Sequence, residues 1–342
     1  MNPRRRAIGL GLAAGSVLGF GTLARWSPAA MAQAATQARD IRFATSSLDT
    51  TQCIVPVGAD AGVFARHGVN MQFPMLAAGA AEAMTGLLEG RWDFAHVGLV
   101  PLARQALEGR DAVLLITPME SHRAGILVTR SDIRSPEELA GARVGVLTEA
   151  GESGTAARYI LQSLAVFGTL VPLGQNREIY AALQAGRVDA GYLPLELAFD
   201  GRRRFNWNSF EGGAAGIPGG IATTRSFIRD NAALVERVVK GCVETIRLFK
   251  ADAGAVVPLL QRRLNLDNIE TARELRDFHA PLLRALPRPT LFSALAGLRD
   301  ALASRYPRAS ALQPDALLDA SFVEALERSG YIRSLYGSGG GA

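Results

Sequence analysis

Short apolar runs alternate with stretches of helical period from Ile41 to about Thr224. Ile41–Ala44 reads as a strand and is followed by the polar loop "TSSLDTTQ". A helix runs through "GADAGVFARHG" to Gly68, and "VNMQFPM" is a second strand. "AGAAEAMTGLLEG" is helical and leads into "FAHVG"; the helix "PLARQALEG" then precedes the strand "AVLLIT". "GILVTR" is a further strand. In "SPEELAG" the pattern predicts a helix with Ser135 as N-cap, Pro136 in the first helical position, Glu138 closing a capping box and Gly141 as the stop. "RVGVL" opens a second series. From Ser226 the pattern is helical in four segments, and the chain closes on "GSGGGA", which reads as a disordered tail. Strands alternating with helices imply an α/β chain with mostly parallel sheets, helices on both faces and a helical C-terminal region.

A weak repeat refines this. "LLEGRWDFAHVGLVPL" (87–102) and "LQAGRVDAGYLPLEL" (183–197) share L-x-x-G-R-x-D, aligning Gly90 with Gly186, Arg91 with Arg187 and Asp93 with Asp189. Each copy is a helix end, a Gly where the chain leaves with positive φ, and a short strand. One such unit in each half predicts two similar lobes, with crossings at "SHRAGILVTR" and "GIPGGIATTRSF". Gly216, Gly219 and Gly220 are expected to let the second crossing bend. The division expected is 39–127 and 222–335 for one lobe, 128–221 for the other, and 336–342 for the tail.

The N-terminus changes how the charge is read. Arg4, Arg5 and Arg6 precede an apolar stretch from Ala7 to Ala24, and Ala30-Met31-Ala32 or Ala32-Gln33-Ala34 fits a cleavage site. Residues 1–34 read as an export signal, and the adjacent arginines suit its twin-arginine form. The mature chain is then periplasmic. The formal charge of +5 includes four leader arginines, Arg4, Arg5, Arg6 and Arg25, which leaves the remainder near +1. That is poor support for a nucleic-acid partner, and the cluster Arg202-Arg203-Arg204 reads as a solvated loop. Cys53 and Cys242 read as two separate buried thiols.

In open α/β sheets ligands lie beyond the carboxyl ends of the strands. That selects Ser46, Ser47 and Gln52 after the first strand, Gly79 at a helix start, and His96, Val97 and Gly98 after the third. Ser121 and His122 join them at the outward crossing. In the second lobe it selects Ser153, Gly154 and Thr155, then Tyr192 and Glu196. The start of "SGTAARYILQ" reads either as an ordinary N-cap or as an anion cradle of unpaired amides. It is not a P-loop, since no Lys follows; nor is it a dinucleotide fingerprint or a G-x-S-x-G elbow. The four histidines form no metal-ligand spacing, His67 reads as exposed, and His279 as a helix-surface or packing residue. Asp49, Glu120 and Glu196 are acids near the expected cleft; one facing inward would suit an amine-bearing ligand.

The runs "GVFARHGVNMQF", "GLLEGRWDFAHVGLVPL", "GILVTRSDIRSPEELAGARVGVL" and "LQAGRVDAGYL" resemble the nitrate/sulfonate/taurine family of ABC-transporter substrate-binding proteins, which are type II periplasmic binding proteins. The resemblance covers roughly residues 41–225. It implies a ligand held between two lobes and a membrane permease as partner, with no cofactor and no catalysis. It places Ser153, Gly154 and Thr155 on the anionic head group and Tyr192 in the position of a family aromatic. Here Pro194-Leu195-Glu196 stands where a Trp-containing pattern is usual. A monomer is expected. Two other readings remain: an enzyme of the same fold, related to thiamine-pyrimidine synthases that use pyridoxal on a Lys, and an extracytoplasmic sensor. Both lysines, Lys240 and Lys250, fall in the C-terminal helical region.

Overall fold

The computed structural model describes residues 38–45, 49–73, 80–119, 125–149, 152–210, 219–291 and 294–337. Among these residues ten strands form two five-stranded sheets. The first contains β1 (Arg39–Ala44), β2 (Val69–Gln72), β3 (Phe94–Val97) and β4 (Ala112–Ile116). The second contains β5 (Gly125–Thr129), β6 (Arg143–Val146), β7 (Thr169–Pro172), β8 (Ala190–Pro194) and β9 (Asn208–Phe210). The last strand, β10 (Gly220–Thr224), returns to the first sheet. Strand orders are β2-β1-β3-β10-β4 and β7-β6-β8-β5-β9.

In each sheet four of the five strands point one way. The reversed strand is β10 in the first and β5 in the second, each being the one that has just arrived from the other lobe. The mostly parallel reading therefore holds, and the antiparallel pairs come from the exchange of one strand per lobe. The two sheets have the same topology, as the repeat in the sequence predicts.

Local chemistry explains the common unit. Gly90 and Gly186 both take φ of +70°, where a side chain would be strained. The strand that follows then returns beside β1 in the first sheet and β6 in the second, with the Asp93 N–H donating to the Arg42 carbonyl and the Asp189 N–H to that of Arg143, both at 2.9 Å. β4 reads "AVLLI" and is buried throughout, because the segment after Ala316 lies along its free edge: the Leu114 N–H donates to Leu317 and the Asp319 N–H to Leu114. β2 alternates buried and exposed, as an edge strand with one covered face should.

Several sequence expectations are corrected. "SPEELAG" forms a 3-10 turn, Pro136–Leu139, rather than an α-helix, although the Ser135/Glu138 capping box is present. Arg202, Arg203 and Arg204 lie not in a loop but in the last turn of helix Leu195–Phe205, paired with Glu274 and Asp200. His67 is only slightly exposed and meets Glu244 at 2.9 Å. Gly219 and Gly220 adopt no positive φ; they are small because the returning chain threads between carbonyls. A Cβ on Gly219 would lie 2.4 Å from the Val97 carbonyl, and one on Gly220 2.0 Å from that of Ile116. Cys53 and Cys242 are both free and buried, in different clusters, as the sequence suggests.

The C-terminal helices cover the first sheet. Helix Arg225–Ala251 buries Val235, Val238, Cys242 and Val243 against Ile41, Phe43 and Phe94. Helix Ile269–His279 reaches further: Ala272 packs with Cys53 and Ile54, while Leu275 packs with Ile126, Phe199 and Trp207 of the second sheet's lobe. Among the described residues no helix is long and apolar enough to cross a membrane.

Candidate functional site

One wall is built after β1. The Asp49 carboxylate caps the turn Thr50–Gln52 by accepting from the Thr51 N–H at 2.8 Å and from the Thr51 hydroxyl. The turn buries Thr50, Thr51 and Gln52, and the Thr50 hydroxyl is buried with no hydrogen-bond partner among the described residues. Beside it, β3 delivers His96 and Val97 to the same end of the sheet. His96 is buried opposite Ile221 of β10. The Val97 side chain belongs to the hydrophobic core, so only its backbone is left to face a ligand. Gly98 is the extended N-cap of helix Leu99–Leu107.

The facing wall follows β6 and β8. Helix Glu152–Ser163 starts where the sequence expects a cradle. The Ser153 hydroxyl accepts a hydrogen bond from the Leu147 N–H at 2.9 Å, so its oxygen fastens the strand-to-helix loop and keeps its own hydrogen to donate. Gly154 packs under that loop: a Cβ there would lie 2.3 Å from the Glu149 carbonyl and 2.5 Å from that of Thr148. Arg158, one turn along, donates to the Glu149 carbonyl at 2.7 Å. Thr155 is exposed. Tyr192 of β8 lies half-buried against Gly125, whose lack of a side chain leaves room for the ring; a Cβ would meet it at 2.8 Å.

Glu196 sits in the first turn of helix Leu195–Phe205. Burial pushes its carboxyl above the ordinary carboxylate range, its own backbone N–H opposes the shift, and the charge of Asp49 adds to it. Two acids from opposite lobes therefore sense each other. Sequence reasoning names both but gives no sign that their charges interact.

Nucleophile and metal chemistry fare differently. Burial pushes the Cys53 thiol far above its ordinary value, with Asp49 adding to the shift, so the reactive thiolate is disfavoured. Lys250 donates to the carbonyls of Ala280 and Leu283 at 2.9 and 2.7 Å, and Lys240 lies over the Tyr331 ring. Among the described residues no group of three or more His, Cys, Asp or Glu is placed to hold a metal ion.

Of the residues named from sequence, Ser46, Ser47, Gly79, Ser121 and His122 lie outside the described residues, as does Glu120. Gln52, His96, Val97 and Gly98 gather at the carboxyl ends of β1 and β3, and Ser153, Gly154, Thr155, Tyr192 and Glu196 at those of β6 and β8. Sequence reasoning misses the contact of helix Ile269–His279 with the turn Thr50–Gln52, which no local pattern signals.

No family model matches the chain, and no curated protein does. Solved structures do. A putative sulfonate ABC transporter periplasmic sulfonate-binding protein SsuA from Methylobacillus flagellatus KT superposes with a TM-score of 0.63 at 15% identity, over 86% of this chain and 96% of that one. The periplasmic aliphatic sulphonate binding protein SsuA from Escherichia coli gives 0.59 at 17% identity, over 81% of this chain and 94% of that one. The desulfurization enzyme DSZB gives 0.57 at 17% identity, over 85% of this chain and 100% of that one. Binding proteins and an enzyme thus share this architecture, and at such identities the likeness carries the fold: the chain has the two-lobed α/β fold of periplasmic binding proteins.

Proposed function

We propose that this chain is an extracytoplasmic solute-binding protein of an ABC importer. It captures a small anionic or zwitterionic organic molecule of sulfonate type between its lobes and presents it to a membrane permease. The observation that carries this reading is the exchange of β5 and β10 between two sheets of identical order. In two lobes joined by chain crossings, a ligand touching both walls favours their approach. The structural likeness to sulfonate-binding proteins supports it. Ser153 and the start of its helix supply the anion contact, with Gln52, His96 and Tyr192 completing the walls. Export to the periplasm, cleavage after the leader and a monomeric state belong to the same reading.

The shared fold of the desulfurization enzyme raises an enzymatic alternative. The state of Cys53 weighs against thiol chemistry at this site, and the engagement of both lysines weighs against a lysine-bound pyridoxal.

A thermal-shift titration of the mature chain with ethanesulfonate, taurine and nitrate tests the proposal. A ligand that binds only the folded form stabilises it by about 2.7 kcal/mol at a hundred times its Kd. A raised melting temperature with at least one sulfonate is expected. No shift with any of the three at millimolar concentration contradicts the proposed ligand class.

A further inference from the structure

Helix Ile269–His279 is fastened to the first lobe by its last turn. Arg276 donates from Nε to the Phe249 carbonyl at 2.9 Å and from Nη2 to that of Lys250 at 2.5 Å. Lys250 returns the contact by donating to Ala280 and Leu283. Just beyond, Leu283 bridges Met119 and the Arg284 N–H donates to the Pro118 carbonyl at 2.8 Å, at the start of the outward crossing. The opposite face of the helix belongs to the second lobe. Arg203 of helix Leu195–Phe205 donates to the Glu274 carboxylate and, at 2.5 Å, to the Thr271 hydroxyl; Arg202 reaches Glu274 at 3.3 Å. Beneath these polar contacts Phe278 meets Phe199 edge-on at 6.0 Å, and Leu275 is buried with Phe199 and Trp207.

We infer that helix Ile269–His279 is a strap between the lobes, fixed to the first and latched to the second by Arg203 on Glu274 and Thr271, and that it restrains their opening. The strap is a third link between the lobes, besides the two chain crossings, with its base bonded to Pro118 and Met119 at the start of the outward one. Widening of the gap parts helix Leu195–Phe205 from the strap, breaks charge-assisted hydrogen bonds and wets Phe199, Leu275 and Phe278. The side chains of Arg203 and Glu274 are 24% and 28% exposed, so the pair is shielded enough to contribute more than a fully solvated one. The strap also packs on the turn Thr50–Gln52, and the latched helix begins next to Glu196, so it spans both walls of the candidate site. Its bearing on ligand capture rests on the proposed function; the restraint itself does not.

Energy transfer between dyes on Glu89→Cys and Phe167→Cys reads the separation of the lobes in the ligand-free mature chain. Phe167 is 88% exposed and the Glu89 side chain 59%, while both native thiols are buried. Arg203→Ala and the gentler Glu274→Gln should each lower the transfer efficiency, and the double variant should lower it by less than the sum of the two, since both changes remove the Arg203–Glu274 pair. Arg204→Ala, whose partner Asp200 lies on its own helix, should leave it unchanged. Unchanged transfer in both latch variants, with native circular dichroism, overturns the inference; so does an equal loss in Arg204→Ala. Added ethanesulfonate forms a separate arm. If it raises transfer in the parent while the latch variants match the parent, the strap fails and the capture reading stands. If it changes nothing while the latch variants open, the strap stands and that ligand is lost.

Discussion

The Asp189 carboxylate holds Arg143 at two points, accepting from its backbone N–H and from its guanidinium Nε, both at 3.0 Å. Asp93 does the same to Arg42, at 2.8 and 3.2 Å. The Asp of the G-R-x-D repeat is therefore a staple in each lobe. It joins the turn before the third strand of the unit to the first strand, and so fixes the direction in which the carboxyl ends of both strands point.

Asp189→Asn should destabilise the fold by about 1 kcal/mol, a modest figure because solvent reaches the pair and screens it. The Arg143 guanidinium holds the Asp189 carboxyl down at about 2 against an ordinary 3.8. At Glu244 burial acts to raise the value, but hydrogen bonds from His67 and Tyr331 and the charges of His67 and Arg66 outweigh it, and it falls to about 2 from 4.5. Both groups are depressed in the folded state. Their stabilisation is complete above the ordinary values and is lost as pH falls from about 4.5 toward 2. Urea denaturation at stepped pH should show this acid limb, and Asp189→Asn should make it shallower. An equal slope in the variant contradicts the assignment.

Gly154→Ala should both destabilise the chain and displace the loop from Leu147 to Glu149. The added methyl would meet two carbonyl oxygens inside contact distance, and backbone cannot yield as a flexible side chain can. Overpacking of this kind costs about 1–3 kcal/mol. Weaker ethanesulfonate binding in a variant that still melts cooperatively is the expected result. Unchanged melting and unchanged binding would show that the loop relaxes freely.

The thiols give a third check. Burial raises both Cys53 and Cys242 and shields them from reagent. A thiol-specific chromogenic disulfide should find neither in the native chain and both in denaturant. Fast native reaction at one would reopen the thiol-chemistry alternative for that position.

What was legible in the sequence is what adjacent residues decide. The G-R-x-D repeat shows two similar lobes because its Gly and Asp act within a few residues of a helix end. The capping box at Ser135 is readable for the same reason, yet the segment closes as a 3-10 turn, since Gly141 follows too soon for a second α-helical turn to form. The exchange of β5 and β10 was legible only as two crossings, because no residue in either strand states which neighbour it will pair with. Arg203 looked like part of a solvated run: its partners, Thr271 and Glu274, are some seventy residues away. Gln52 and His96 could be placed by the rule for strand ends, whereas the influence of the Asp49 charge on Glu196 depends on how two lobes are set against each other.

That influence bears on the ligand. Glu196 is held above its ordinary range by burial, and the neighbouring charge of Asp49 makes its ionised form less favourable still. A ligand ammonium beside Glu196 would favour its ionised form, while a purely anionic ligand would gain nothing from it. Glu196→Gln should therefore weaken binding of taurine and leave ethanesulfonate unaffected or slightly strengthened, a difference read by calorimetry on the two ligands. The sign with pH follows: the ionised acid is the one that holds the ammonium, so taurine affinity should fall as pH is lowered through the raised Glu196 value, with ethanesulfonate spared. Equal losses for both ligands in Glu196→Gln would mean that this side chain shapes the wall without reading the ligand's charge.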